Sequence, residues 1–432
     1  RLVGIADKPA GLESALSGKG GGTIKSDPSS FDAIPGSPFS YWVSDKLRGA
    51  YKKFPAFKSD RRTACQGIAS GDDFRYARLW WEVNSDEIAN IDAHIFEASG
   101  PYCSLYYKWQ SFSKGGKISP YYSDIKMVFN WGSDGAQVKI SDGGNGAPNK
   151  DYYYRTGFSW PKRALRFSPS VLPRGTIFGD RSMSAFSKDM DISLCITLSA
   201  SRVFDTLFKL KVGQTGRPEF QAGIANVLPL PQTKLVEQVN EVKEFFNDGY
   251  KSASAPFLHD ETSRLYCDCW FESLSGNSLI ETTSAYQLLS KQKHQSVESL
   301  QKQVDSKALE LYELEVEDLP NELLRSTWLT VTGLPESGES EYIASFLAKD
   351  LLSNLFGKMF GRFNSNTKVL KRDAFDPLPV PTIDHDINLV HTENGQLRDL
   401  LKQGIAPVGS DYRVSVDNLL PELINDFYPA ST

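Results

Sequence analysis

The chain has 432 residues, more than the roughly 100–200 of a typical single domain, so two or three folded units are expected. Its 40% hydrophobic and 23% charged residues form a globular mixture, which excludes an intrinsically disordered chain. The best apolar run, Ile192–Leu198, is far shorter than the roughly 18 residues of a transmembrane helix, so no membrane partner is expected. Five cysteines spread along the chain predict no disulfide framework and favour a cytoplasmic location.

The net charge of −5 conceals an uneven distribution of charge along the chain. Basic residues dominate the segments Asp45–Arg62 and Arg155–Arg181, whereas acidic residues dominate Asp305–Glu322. A chain with separate basic and acidic regions can bind a polyanion on one face despite its overall charge. An ordinary solvated surface is the alternative interpretation of the same pattern.

The first segment, residues 1–33, is rich in turn-forming residues and is predicted to be a linker or the tail of a preceding domain. Its glycine cluster, Gly18–Gly22, lacks the spacing of a phosphate-binding loop, because Glu13 stands where the first glycine is required. The sequence starts at Arg1 with neither a signal-peptide pattern nor an initiating methionine. This predicts a fragment, a processed chain or a naturally split protein.

Residues 34–231 are dense in aromatic and turn-forming residues. Short apolar runs recur at Ala77–Val83, Ile125–Trp131 and Asp191–Leu198, with clusters of Gly, Asn, Asp and Pro between them. This pattern predicts short strands joined by turns, with one or two helices, in a mixed α/β domain with an irregular sheet. The prolines at 229 and 231 end the domain.

Helical periodicity begins after these prolines. Residues 232–325 are predicted to be a helical spacer, with a helix at Leu235–Phe246 and a longer one from about Thr283 to Glu317. Residues 326–432 are predicted to be a helical C-terminal region that includes a helix at Tyr342–Phe360. The expected fold class is therefore α+β.

Motifs for a self-contained active site are absent from the sequence. The five histidines are scattered, and Cys267-Asp268-Cys269 has no second cysteine pair, so no metal site is expected. There is no G-x-S-x-G nucleophile turn. No Pro-Pro dipeptide exists for the [Asp/Asn/Ser]-Pro-Pro-[Tyr/Phe] loop that holds a flipped base, and no Phe-x-Gly-x-Gly turn exists for S-adenosylmethionine. We therefore expect no catalytic residue and no cofactor in this chain.

Seven sequence blocks carry a family resemblance by their order. They are Ile34–Asp45, Gln66–Trp80, Lys114–Gly116, Val128–Gly135, Gly157–Trp160, Leu309–Leu314 and Met359–Phe363. In this order they resemble the segment that follows the catalytic domain in large adenine-specific DNA methyltransferases of BREX and phage-growth-limitation defence systems. Ser70 departs from the family pattern, which has threonine there. Leu228–Pro231, followed by Glu237-Gln238, also resembles the exit from a recognition domain of Type I specificity subunits.

The resemblance implies a DNA target-recognition domain at 34–231, followed by the spacer and the C-terminal region. The intact parent enzyme would be a site-specific adenine-N6 DNA methyltransferase, with S-adenosylmethionine bound by an N-terminal methyltransferase domain that this chain lacks. Double-stranded DNA, that N-terminal domain and other defence-system proteins are the implied partners. A specificity subunit of a multi-subunit restriction-modification system and a protein-interaction module of a defence complex remain alternatives.

Target recognition needs cationic side chains for phosphates and Arg, Lys, Asn or Gln side chains for base edges. Hairpin turns or solvated surface are the alternative interpretation of these segments, and most aromatic residues are expected to form the core. The residues predicted to contact DNA are Arg61, Arg62, Arg75, Arg78, Lys108, Gln110, Lys114, Lys117, Arg174 and Arg181.

Overall fold

The computed structural model describes residues 8–17, 27–89, 107–116, 119–140, 143–213, 218–274, 278–320, 340–359 and 373–379. Over these ranges the chain combines two small sheets with a largely helical second half, which confirms the predicted α+β class. No helix among the described residues is long and apolar enough to cross a membrane.

Two four-stranded sheets form the first half of the described chain. The first has the strand order β1-β8-β5-β6 and is antiparallel throughout. The second has the order β2-β4-β3-β7, in which β3 and β7 run parallel. The strands are β1 (Arg62–Cys65), β2 (Ala77–Leu79), β3 (Trp109–Ser113), β4 (Met127–Asn130), β5 (Gly157–Pro161), β6 (Ser170–Leu172), β7 (Thr176–Phe178) and β8 (Ser182–Ser187).

Most of the described α-helices follow β8. Those that precede it are α1 (Lys8–Leu16), α2 (Asp45–Lys53), α3 (Asp73–Tyr76) and α4 (Gly132–Lys139). The others are α5 (Ile192–Ser199), α6 (Arg202–Val212), α7 (Ala222–Ala225), α8 (Gln232–Glu237), α9 (Val239–Ser254), α10 (Trp270–Ser273), α11 (Leu279–Tyr312) and α12 (Ser340–Met359).

The run Asp191–Leu198 is an α-helix, contrary to the strand-like pattern expected for it. Asp191 caps the helix by accepting a hydrogen bond from the Ser193 N–H at 2.9 Å. All eight residues of α5 are buried, because the helix lies inside the core that the first sheet shares with α6 and α9. A helix buried on every side has no polar face, so its sequence shows no helical period.

A second core, rich in aromatic residues, packs against the second sheet. Tyr76 stacks on Phe129, and Trp131 and Tyr153 pack edge to face beside them. At the start of α4, residues 133–135 have left-handed backbone angles, and a Cβ on Gly135 would lie 2.5 Å from the Trp131 ring. Glycine is therefore required where this turn folds over the indole.

The long helix α11 packs its C-terminal half into the core of the first sheet. Ala308, Leu311 and Tyr312 are buried there, and the Tyr312 hydroxyl donates to the Pro229 carbonyl at 2.8 Å. At its other end α11 packs with α10 and α12 around Trp270. In the segment predicted as a spacer, α11 is thus packed against the core of the first sheet at one end and against other helices at the other.

Acidic residues after α11 neutralise part of the basic segment Asp45–Arg62. Glu313 binds Lys53, and its carboxylate lies 2.6 Å from the Lys234 ammonium. Hydrogen bonds from Lys234 and Lys53 lower the pKa of Glu313 to about 2. Asp318 lies 3.6 Å from Lys46. The charge asymmetry of the sequence is therefore partly an internal feature of the fold.

The predicted helices differ from the observed ones mainly at their ends. Leu235–Phe246 is divided between α8 and α9 at Gln238, whose backbone is not helical. The helix predicted from Thr283 corresponds to α11, which ends at Tyr312 with Glu313 in a left-handed conformation. The helix predicted at Tyr342–Phe360 is confirmed as α12.

Candidate nucleic-acid interface

The loop Lys114–Gly116, which follows β3, brings distant basic residues together. Gly115 has a φ of +86°, and a Cβ at this position would lie 2.8 Å from the Arg181 carbonyl oxygen. Only glycine allows this close passage. The same carbonyl accepts a hydrogen bond from the Lys162 N–H at 2.9 Å. The ends of β3 and β5 and the start of β8 therefore meet at one edge of the molecule.

Asp73 lies at the centre of this edge. Its carboxylate binds the Lys114 ammonium and accepts a hydrogen bond from the Ser70 hydroxyl at 2.5 Å. Partial burial opposes ionisation, but these hydrogen bonds and the charges of Lys114 and Arg181 outweigh it and lower the pKa of Asp73. Asp73 is therefore a carboxylate at neutral pH, and it holds the lysine in place.

The short helix α3 presents Arg75 beside this centre. The Asp72 side chain caps the helix by accepting from the Arg75 N–H at 3.1 Å. The Arg75 guanidinium lies 5.3 Å from the Tyr76 ring centroid, and Tyr76 is buried against Phe129. Arg78 donates to the carbonyl groups of Phe74 and Ala77. We refer to Arg75, Lys114, Lys162 and Arg181 together as the basic edge.

A polar cavity of about 200 Å³ lies directly behind the loop, between the two sheets. Lys114 and Lys126 contribute to its wall, and Lys126 binds Asp260 at 2.7 Å. Most of its remaining polar lining is hydroxyl, which suits bound water better than an apolar ligand. Its serines are Ser113, Ser119, Ser123, Ser159, Ser168, Ser170 and Ser182.

The structure brings together only some of the residues predicted to contact DNA. Arg75, Lys114 and Arg181 belong to the basic edge, and Arg78 supports α3. Lys108 precedes β3, so the strand separates it from Lys114 by about 20 Å. It lies 3.8 Å from Glu87.

Two other predicted cations lie away from the basic edge. Arg174 and Arg181 are at opposite ends of β7, and the Arg174 N–H donates to the Phe375 carbonyl at 3.0 Å. Arg61 is exposed at the start of β1, where its carbonyl accepts from the Lys188 N–H. Neither is part of the cluster around Asp73.

Arg62 and Gln110 are buried and support the fold. The Arg62 side chain lies 2.7 Å from the Asp189 carboxylate and donates to the Phe57 carbonyl, and the residue is 4% exposed. Gln110 is 0% exposed, and its amide donates to the Tyr107 carbonyl at 3.0 Å. We therefore leave both out of the candidate surface. Lys117 lies outside the described residues.

Two residues of this site were not predicted from the sequence. Lys162 comes directly after β5, and its position is set by its bond to the Arg181 carbonyl. Asp73 is the anion that joins Lys114 to α3. The two consecutive basic residues Lys162 and Arg163 after an apolar strand were a sequence signal that could have identified Lys162. No sequence signal pointed to Asp73.

The described residues contain no group of His, Cys, Asp and Glu side chains that could hold a metal ion. The site therefore offers cationic and hydroxyl groups for binding and no assembled metal centre among the residues that the structure describes.

Comparison with known proteins gives two partial matches and no matching family model. The adenine-specific methyltransferase PglX of Lacticaseibacillus casei (strain Zhang) is 26% identical over 213 residues, covering 47% of this chain and 17% of that protein. The adenine-specific methyltransferase BrxX of Escherichia coli O9:H4 (strain HS) is 26% identical over 171 residues, covering 39% of this chain and 13% of that protein. The chain thus spans less than a fifth of either relative, and the matches support a relationship to BREX-type adenine-specific methyltransferases.

Proposed function

We propose that this chain is the DNA target-recognition portion of an S-adenosylmethionine-dependent adenine-N6 DNA methyltransferase of a bacterial phage-defence system. It binds duplex DNA, and a separate N-terminal domain transfers the methyl group. The partial similarity to two adenine-specific methyltransferases supports the enzyme class. The sequence of this chain has no Pro-Pro dipeptide and no Phe-x-Gly-x-Gly turn, so the methyl donor is assigned to the other domain.

The observation that carries the proposal is the meeting of two cations, Lys114 and Arg181, around Asp73. Arg75 follows on α3, and the Lys162 backbone N–H bonds to the Arg181 carbonyl. Arginine and lysine side chains on loops and helix ends are the groups that neutralise phosphates and fix the register of a protein on DNA. The bend at Gly115 lets the backbone next to Lys114 pass close to Arg181.

Reversing two charges of the basic edge is expected to weaken duplex binding. In an Arg75→Glu/Arg181→Glu variant, two phosphate contacts are lost and two repulsive charges are introduced. We expect the Kd for a fluorescein-labelled duplex to rise at least about tenfold, and the slope of log Kd against log salt to fall by about 2. Fluorescence anisotropy at several salt concentrations measures both quantities.

The matched control is Lys251→Glu/Lys291→Glu, which makes the same kind of change on the exposed faces of α9 and α11. This variant is expected to bind nearly as the unaltered chain does. If both variants weakened binding equally, the basic edge would not be the DNA site. If the unaltered chain showed no salt-dependent binding to any duplex, the proposed function would be wrong.

Removing the charge of Asp73 is expected to act in the opposite direction. The carboxylate competes with phosphate for Lys114, so Asp73→Asn frees the ammonium and adds positive charge to the edge. We expect duplex binding to tighten several-fold and to depend more steeply on salt. Asp248→Asn, an exposed neutralisation on α9, serves as the control in the same titration. Weaker binding by Asp73→Asn alone would mean that Asp73 positions Lys114 for DNA.

A further inference from the structure

Phe74 is an aromatic side chain that the fold leaves in solvent. It is 91% exposed, whereas Tyr76, on the same short helix, is buried. Removing a phenylalanine side chain from water is favourable, so an exposed ring at a binding surface contributes to affinity when a ligand covers it.

The backbone that carries Phe74 is fixed on both sides. Asp73 is held by Ser70 and Lys114, and the Phe74 carbonyl accepts from the Arg78 guanidinium. Tyr76 anchors the end of the helix in the aromatic core. A ring presented from such a constrained position loses little backbone freedom when it binds.

Two cations of the basic edge are held at the residues on either side of Phe74 in the chain. Arg75 follows it directly, and Lys114 reaches the residue before it. The acids beside it are engaged, since Asp73 binds Lys114 and Asp72 caps α3. An exposed apolar ring next to cations matches duplex DNA, in which stacked bases lie between two rows of phosphates. Proteins that deform DNA use phenylalanine in this way, as a wedge at a base step.

We propose that the Phe74 ring stacks on or inserts beside a base pair when the basic edge docks on duplex DNA. This inference rests on the proposed function and adds a specific contact to the bases. Arg75, Lys114 and Arg181 hold the phosphates, while Phe74 contributes apolar contact that does not depend on salt. The two contributions are therefore separable by experiment.

The experiment compares the full chain with Phe74→Ala and Phe74→Trp. The probe is a pool of labelled duplexes with a randomised core, so that every short sequence is present. We expect Phe74→Ala to weaken binding about tenfold with an unchanged salt slope, because stacking on a base carries no charge. Permanganate oxidises unstacked thymines. We expect it to react with DNA bound by the unaltered chain or by Phe74→Trp, and not with DNA bound by Phe74→Ala.

Phe39→Ala is the matched control, since Phe39 is also an exposed phenylalanine but is located before α2. Phe74→Ala and Phe39→Ala are both expected to have the thermal unfolding temperature of the unaltered chain. If Phe74→Ala kept the full affinity and the permanganate pattern while binding remained salt-dependent, the inference would fail and the proposed function would stand. If the unaltered chain bound no duplex, both would fail.

Discussion

Replacing Gly67 with alanine is expected to unfold much of the two-sheet region. A Cβ at this position would lie 1.9 Å from the Phe178 carbonyl oxygen and 2.6 Å from the Phe178 ring. The Phe178 backbone cannot move away, because two hydrogen bonds hold it beside Ile68. The Ile68 N–H donates to that same carbonyl at 3.0 Å, and the Asp180 N–H donates to the Ile68 carbonyl at 2.9 Å. We expect a loss of at least about 3 kcal/mol in the free energy of unfolding, measured by urea denaturation.

Gly223→Ala provides the control for this substitution. Gly223 lies in α7, and a Cβ there would meet no atom within 4 Å. Alanine favours helix over glycine by about 1 kcal/mol, so this variant is expected to be unchanged or slightly more stable. Equal urea midpoints for the two variants would contradict the packing at Gly67.

The second large effect concerns Asp305, whose carboxyl group is buried between α11 and the start of α6. It accepts hydrogen bonds from the Arg202 N–H at 2.8 Å and the Gln301 amide at 3.0 Å. Burial outweighs these bonds and the Arg202 charge, and raises the pKa of Asp305 from 3.8 to about 6. The folded chain therefore binds this proton more tightly than the unfolded chain does.

The sign of the pH dependence follows from that difference. The contribution of neutral Asp305 to stability is fully present below about pH 4 and is lost as the pH rises through about 6. Asp305→Asn keeps an oxygen acceptor and cannot ionise. Between pH 4 and pH 7 the variant is therefore expected to gain about 2 kcal/mol of unfolding free energy relative to the unaltered chain.

Urea unfolding of both proteins across this pH range measures the difference. Asp350, whose burial raises its pKa to about 6, is present in both chains and so cancels in the comparison. A constant difference between pH 4 and pH 7 would show that Asp305 ionises in the folded chain as it does in the unfolded one.

Helical periodicity in the sequence predicted the helices that have one solvent-exposed face. The stripe of Val297, Leu300, Val304 and Leu311 is buried in α11, and the helix at 340–359 lies where its pattern placed it. The pattern failed for α5 because every residue of that helix is buried. It also missed β3, since Gln110, Ser111 and Ser113 are polar side chains enclosed by the fold. Neighbours contributed by distant segments decide such burial, and a local pattern contains no information about them.

The candidate site could be predicted only as separate pieces. Composition indicated that Lys114 and Arg181 were suitable cations, but their meeting depends on the parallel pairing of β3 with β7. The same composition could not distinguish Arg62, which pairs with Asp189 inside the protein, from the exposed Arg61 beside it. Charge is read directly from a sequence, whereas its accessibility is a property of the folded chain.

The length of α11 limits the insertions and deletions that this chain can tolerate. Its 34 residues form a rod of about 50 Å, fixed at one end beside Pro229 and at the other around Trp270. One residue added between those two anchors would rotate one of them by about 100° relative to the other. Exposed side chains along α11 can be substituted. The number of residues between the two anchors is constrained, because an insertion would rotate one anchor away from its packing partners.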